Sequence, residues 1–188
     1  MQLLCHRILV RGFQKLGIFR AEAEEAEILA SGISSAFFPH GVGHSLGLDV
    51  HDVPSASKPI PNPTIVRDDT GLGHEKFYEY LRLRLPLEVG MVVVRLFYCC
   101  RLCWSSVCRR PSLMPGLQTV EPGIYFHQYL LAGVRNSKFI DYEVLSRYEP
   151  VGGVRIEDVV LITPNGAENL TTVRSDVDWI EGVCSGKL

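Results

Sequence analysis

The sequence predicts an α+β fold, and three observations carry that prediction. Apolar residues recur at helical spacing near the start of the chain. Val, Ile, Tyr and Thr gather into short runs after residue 88. Turn-forming residues separate those runs. Over residues 2–18, Leu3, Leu4, Ile8, Leu9, Phe13, Leu16 and Ile18 interleave with Arg7, Arg11 and Lys15, which predicts an amphipathic helix ending near Gly17. Residues 21–31, AEAEEAEILAS, predict a second, mostly solvated helix closed by Gly32. Residues 53–75 are rich in Pro, Ser, Asp and Gly and read as loop. Residues 76–85 read as a short helix or an extended run. Strands are expected over 89–93, 119–126 and 153–163. Pro164-Asn165-Gly166 forms a turn before a last short strand at 168–172. Helices thus come early and strands late.

Bulk composition narrows the function. The chain has 188 residues, 46% hydrophobic and 21% charged, enough for one domain with a core and unlike a disordered chain or coiled coil. Net charge is −2 with no basic stripe, so nucleic acid is not an expected partner. The first 20 residues lack the apolar run and cleavage site of a signal peptide. No stretch reaches the roughly 18 apolar residues of a membrane span. A cytoplasmic protein with no membrane partner is the expectation. Four of the six cysteines (Cys99, Cys100, Cys103 and Cys108) crowd into one segment, unlike a disulfide framework. Cys100 and Cys103 have zinc-ligand spacing, but no second pair follows at finger distance.

The chemistry concentrates in FFPHGVGHSLGLDVHD, residues 37–52. His40, His44 and His51 are half of the chain's six histidines. Imidazole is the commonest metal ligand and the usual proton carrier near neutral pH. Two carboxylates can join them. Glu121 lies in TVEPGIY, where Pro122 forces it into an extended backbone and Gly123 permits a turn or a close approach. Glu157 lies in VRIEDVVLI, a strand so apolar that a buried carboxylate needs a cation, either Arg155 or a metal. On a strand Arg155 and Glu157 share a face. A mixed nitrogen and oxygen donor set suits Mn²⁺, Co²⁺, Fe²⁺ or Zn²⁺. Two bridging carboxylates are what a binuclear, water-activating site requires.

FFPHGVGHSLGLDVHD, TVEPGIY and GGVRIEDVVLIT, in this order, resemble the C-terminal signature of the proline-specific pita-bread metallopeptidases. These are the Xaa-Pro aminopeptidases and Xaa-Pro dipeptidases (prolidases), here in the fungal, prolidase-like branch. The resemblance covers residues 1–93 and 119–173. It implies part of a pita-bread fold, an antiparallel sheet with covering helices. It implies two divalent metals, usually Mn²⁺, held by two Asp, one His and two Glu. His44 takes the place of the His ligand, Glu121 the first Glu and Glu157 the bridging Glu. His40 and His51 match histidines implicated in substrate contact and proton movement. Arg155 matches an arginine supporting the last Glu. Glu121 also matches the proton shuttle.

Two departures qualify it. The family's Asp ligands lie well upstream of the histidine segment, and residues 1–39 contain no Asp. The chain therefore resembles the C-terminal part of a longer enzyme. Residues 94–118, VRLFYCCRLCWSSVCRRPSLMPGLQ, interrupt what in relatives runs straight from LEVGMVV into TVEPGIYF. They hold the four crowded cysteines and no acidic residue. They begin with Val, whose codons start GT, and end with Gln, which CAG encodes. A retained intron translated in frame is the expected origin. The catalytic domain is accordingly expected in 1–93 and 119–188. The expected activity is release of the N-terminal residue from peptides with proline second, through a metal-activated water. The alternatives are an Xaa-Pro dipeptidase, a truncated and inactive chain without the Asp pair, and a non-catalytic pita-bread binding module. The expected partner is a proline-containing peptide, with homodimerisation left open.

Overall fold

A computed structural model describes residues 1–46, 51, 77, 78, 81 and 117–188. The expected loop at 53–75, the strand at 89–93, the cysteine cluster and residues 94–116 lie outside these, as does most of the 76–85 run.

Helix α1 spans Gln2–Lys15 and helix α2 spans Glu25–Ser31. The first four residues of the expected second helix, 21–24, precede α2 rather than extend it. Gly32 closes α2 with φ 72°, a left-handed conformation that suits glycine, and donates its N–H to Leu29. The buried stripe of α1 is Gln2, Cys5, His6, Leu9, Val10 and Phe13. This corrects the expected apolar face, because Ile8 and Leu16 are exposed. The helix is rotated so that two polar residues enter the core, and the partners that permit this are described below.

Phe13 organises the interior. Its ring packs against Phe19, Phe37 and Phe126 at centroid distances of 5.4, 4.9 and 5.9 Å. Ile18, Ile28, Leu131, Ile140 and Leu145 are buried in the same core. A one-turn 3₁₀ helix, Ile33–Ala36, feeds the chain into the histidine segment.

Strands β1 (Gly43–Leu46), β2 (Leu117–Val120), β5 (Asp158–Thr163) and β6 (Gly166–Asn169) form one antiparallel sheet in the order β1-β2-β5-β6. Strands β3 (Gly123–Tyr125) and β4 (Gly153–Arg155) form a separate antiparallel pair. The expected strands at 119–126 and 153–163 are each broken in two, at Glu121-Pro122 and at Ile156-Glu157. Pro122 has no N–H for the ladder, which is why the interruption falls there. Its carbonyl still accepts from Ile156 N at 3.1 Å. Leu117 and Gln118, the last two residues of the 94–118 segment, belong to β2.

Helices are not confined to the start of the chain. Helices α3 (Gln128–Ala132), α4 (Tyr142–Tyr148) and α5 (Val177–Cys184) lie among and after the strands. Asp141 caps α4 by accepting from Val144 N at 3.2 Å, and Asp176 caps α5 by accepting from Trp179 N at 3.0 Å. No helix among the described residues is long and apolar enough to cross a membrane.

Along β5, Asp158, Val160 and Ile162 turn inward. Burial pushes the Asp158 carboxyl above the usual aspartate range, with Asn169 pulling partly back, and its Oδ2 has no hydrogen-bond partner among the described residues. A carboxyl raised by folding favours the fold while protonated. That contribution is present below the ordinary aspartate range and is lost as pH rises through the raised value. Asp158→Asn is therefore expected to melt like the parent near pH 3 and higher than the parent at pH 7. A variant that melts lower than the parent at pH 7 contradicts this.

Candidate metal centre

The site grows out of the strand register. In β3 and β4, Gly123 faces Arg155 and Tyr125 faces Gly153. In β2 and β5, Val120 faces Asp158 and Gln118 faces Val160. The two ladders are in one continuous register, and in that register Glu121 sits directly opposite Glu157. On the other side of β2, His44 faces Thr119, so alternation puts it on the same face as Glu121, two residues further on. Glu121 N donates to Val42 O at 2.6 Å and holds that edge of the ladder closed. Pairing alone thus delivers one imidazole and two carboxylates to one face.

The side chains meet there. One ligand atom from each of His44, Glu121 and Glu157 lies within 4.8 Å of the others. His44 is buried, Glu121 half-buried and Glu157 exposed. His44 Nε2 stands 2.7 Å from Glu121 Oε1. Arg155 Nη1 donates to Glu121 Oε2 at 3.2 Å. Like charges opposite one another on neighbouring strands destabilise a sheet, and one arginine cannot balance two carboxylates. A divalent cation can, and His with two Glu is a donor set that such ions accept. The residues present therefore fit a metal.

The other expected site residues surround this group. His40 Nδ1 donates to Gly41 O at 2.9 Å, and its Nε2 lies 3.0 Å from the Tyr125 hydroxyl. The His51 ring stands edge-on to His44 at 4.4 Å. Arg155 touches Glu121, whereas the resemblance implied support of Glu157.

Tyr125 was missed in the sequence, although TVEPGIY contains the signal. Residues 123 and 125 share a face, and a Cβ at Gly123 would lie 2.7 Å from the Tyr125 hydroxyl oxygen. Gly123 thus makes room for a ring that folds back to reach His40. Gly123→Ala is expected to displace Tyr125 from His40 and to cost about 1–3 kcal/mol, as overpacking does. Thermal melting checks the cost and the His40 ring resonances check the contact; a parental melting temperature contradicts the account.

Comparison with known proteins agrees with this architecture. The chain is similar to the solved structure of aminopeptidase P from Escherichia coli with the inhibitor Pro-Leu, at 26% identity and TM-score 0.51, covering 97% of this chain and 28% of that one. It is similar to the Pseudomonas aeruginosa aminopeptidase PepP at 25% identity and TM-score 0.51, covering 96% and 27%. The fold is part of the pita-bread architecture of a metallopeptidase. Among curated relatives, it is 39% identical to a probable Xaa-Pro aminopeptidase of Penicillium rubens and 40% identical to one of Paracoccidioides lutzii. Those alignments cover 96% and 97% of this chain and 31% of each relative. The chain therefore spans under a third of their length. Residues 5–95 match the model of metallopeptidase family M24. The matched part of the chain is a family M24 metallopeptidase domain.

Proposed function

We propose that this chain carries the His–Glu–Glu half of a binuclear metal centre of the Xaa-Pro aminopeptidase type. The observation that carries this reading is the position of Glu121 opposite Glu157, with His44 on the same face. His44, Glu121 and Glu157 would hold the metal, with Mn²⁺ as the expected ion. When bound, the metal supplies Lewis acidity and lowers the pKa of a coordinated water.

The residues around it divide the remaining work. Glu121 carries the proton from the attacking water towards the leaving amine. His40, fixed by the Tyr125 hydroxyl at 3.0 Å, and His51, edge-on to His44, face the peptide. Arg155 keeps one oxygen of Glu121 oriented. The substrate is a peptide with proline in the second position; an Xaa-Pro dipeptide is the alternative. The catalytic domain is proposed to comprise residues 1–93 and 119–188, with 94–118 inserted. Sequencing of cDNA across residues 93–119 tests the insertion, and abundant message carrying the segment counts against it.

A second reading concerns the chain acting alone, and the ligand count favours it. The resemblance implies five protein ligands, and three are gathered among the described residues. One ion, and no turnover, is then expected of the chain by itself. Metal analysis after equilibration with Mn²⁺, together with a hydrolysis assay on an Xaa-Pro peptide, decides between the two. Two ions and turnover overturn the inactive reading. No bound ion overturns the site.

A further inference from the structure

The buried amide of Gln2 is bound to the histidine segment and is used nowhere in the chemistry above. Its Oε1 accepts from Val42 N at 2.7 Å, and its Nε2 donates to His40 O at 3.1 Å. A side-chain amide here does what a neighbouring strand does, offering one donor and one acceptor to alternate backbone groups. The backbone fixes the amide's orientation, because Val42 N–H requires an oxygen and His40 C=O requires an N–H. That orientation fixes the next residue in turn. Gln2 Nε2 also lies 3.3 Å from His6 Nε2, which must then accept. His6 therefore carries its proton on Nδ1 and donates to Ser34 Oγ at 3.0 Å. Phe77 stacks on the His6 ring at 4.0 Å.

The line leads onward to the ligands. Val42 O receives Glu121 N at 2.6 Å, and His44 is two residues beyond Val42. We propose that Gln2, held by His6 and Ser34, is a positioning residue of the metal centre, setting the backbone that carries His40, His44 and, through Val42, Glu121. The proposal rests on the metal-centre reading. It also accounts for the rotation of α1, since Gln2 and His6 occupy the buried stripe where apolar residues were expected. A buried polar network with every member satisfied is a source of fixed geometry rather than of large net stability.

The test uses the full chain. Gln2→Met keeps length and burial and removes the hydrogen bonds. Gln2→Glu keeps the acceptor for Val42 N–H and removes both donations. In the metal-free chain, amide exchange at Val42 and Glu121 is expected to quicken about tenfold or more in Gln2→Met, the response to about 1.4 kcal/mol of lost protection. Ile162 in β5 is expected to exchange as in the parent. In Gln2→Glu, Val42 stays closer to parental exchange. Co²⁺ affinity measured by calorimetry is expected to fall about 10- to 100-fold in both variants, as when the supports of metal ligands are removed. Parental exchange at Val42 and Glu121, or parental Co²⁺ affinity, overturns the proposal. If Gln2→Met does not fold, Gln2→Glu decides the matter through Co²⁺ affinity. A parent chain whose Co²⁺ titration is as flat as that of Glu121→Gln overturns the metal-centre reading instead, and the exchange measurements then still decide whether Gln2 clamps the segment.

Discussion

Replacing Glu157 with glutamine is expected to stabilise the metal-free chain and to abolish its response to divalent metal. Glu157 faces Glu121 in the continuous register of the strands, and the ion pair that Arg155 makes among the described residues is with Glu121. Removing one of two opposed carboxylates relieves a cross-strand repulsion of about 0.2–1 kcal/mol. The melting temperature of the metal-free chain should therefore rise by about 0.4–4 °C. The parent should gain about 2.7 kcal/mol when a divalent ion is present at about 100 times its dissociation constant. Glu157→Gln should gain almost none of this. Thermal melts with and without Mn²⁺ or Co²⁺ read both effects. A variant less stable than the parent without metal, or equally stabilised with it, refutes the opposed-carboxylate account. The two effects have opposite signs, so a general loss of structure cannot imitate them.

Phe13→Ala is expected to have the largest effect on folding. The ring is 2% exposed and touches three other aromatic rings from different parts of the chain. Truncating a buried phenylalanine costs about 3–5 kcal/mol, against a total stability of about 5–15 kcal/mol for a domain. The melting temperature should fall by about 6–20 °C. The damage should reach the metal centre as well. Phe37 leads into the histidine segment, and its carbonyl accepts from Tyr125 N at 2.9 Å. Loss of the Tyr125–His40 contact should accompany the fall in stability. A drop of less than about 2 °C, measured by circular dichroism, would show that the interior re-forms without this ring.

Much of the site was legible because it is local in sequence. His44, Glu121 and Glu157 each stand in a short motif, and the structure brings the three together. What the motifs do not show is how they meet. Gly43–Leu46 has little strand character by composition, with a glycine, a histidine and a serine in four residues. It is a strand because β2 pairs with it, which is a long-range event. The breaks at Pro122 and Glu157 were half legible. Proline's missing N–H predicts an interruption in its own strand, but the matching gap in the other strand follows only from register. Helices α4 and α5 carried readable signals in the capping residues Asp141 and Asp176, which an emphasis on β-rich runs passes over. Gln2, His6 and Ser34 were hidden for a different reason. Polar residues on a helix are assigned to solvent by default, and only their mutual hydrogen bonds justify their burial.

The continuous register across the two broken strands also bears on how the chain tolerates variation in length. His44 is aligned by β1 against β2, and Glu157 by β5 against β2, so β2 is the common ruler for the ligands. The three ligands are thus placed by pairing with β2 rather than by their separation along the chain. Closing a longer connection is inexpensive, with each doubling adding only about 0.6 kcal/mol of entropy. One residue inserted within β2 itself would be far more damaging, because it would turn Glu121 to the opposite face of the sheet. Selection on this region of the chain should therefore act strongly on phase within the strands.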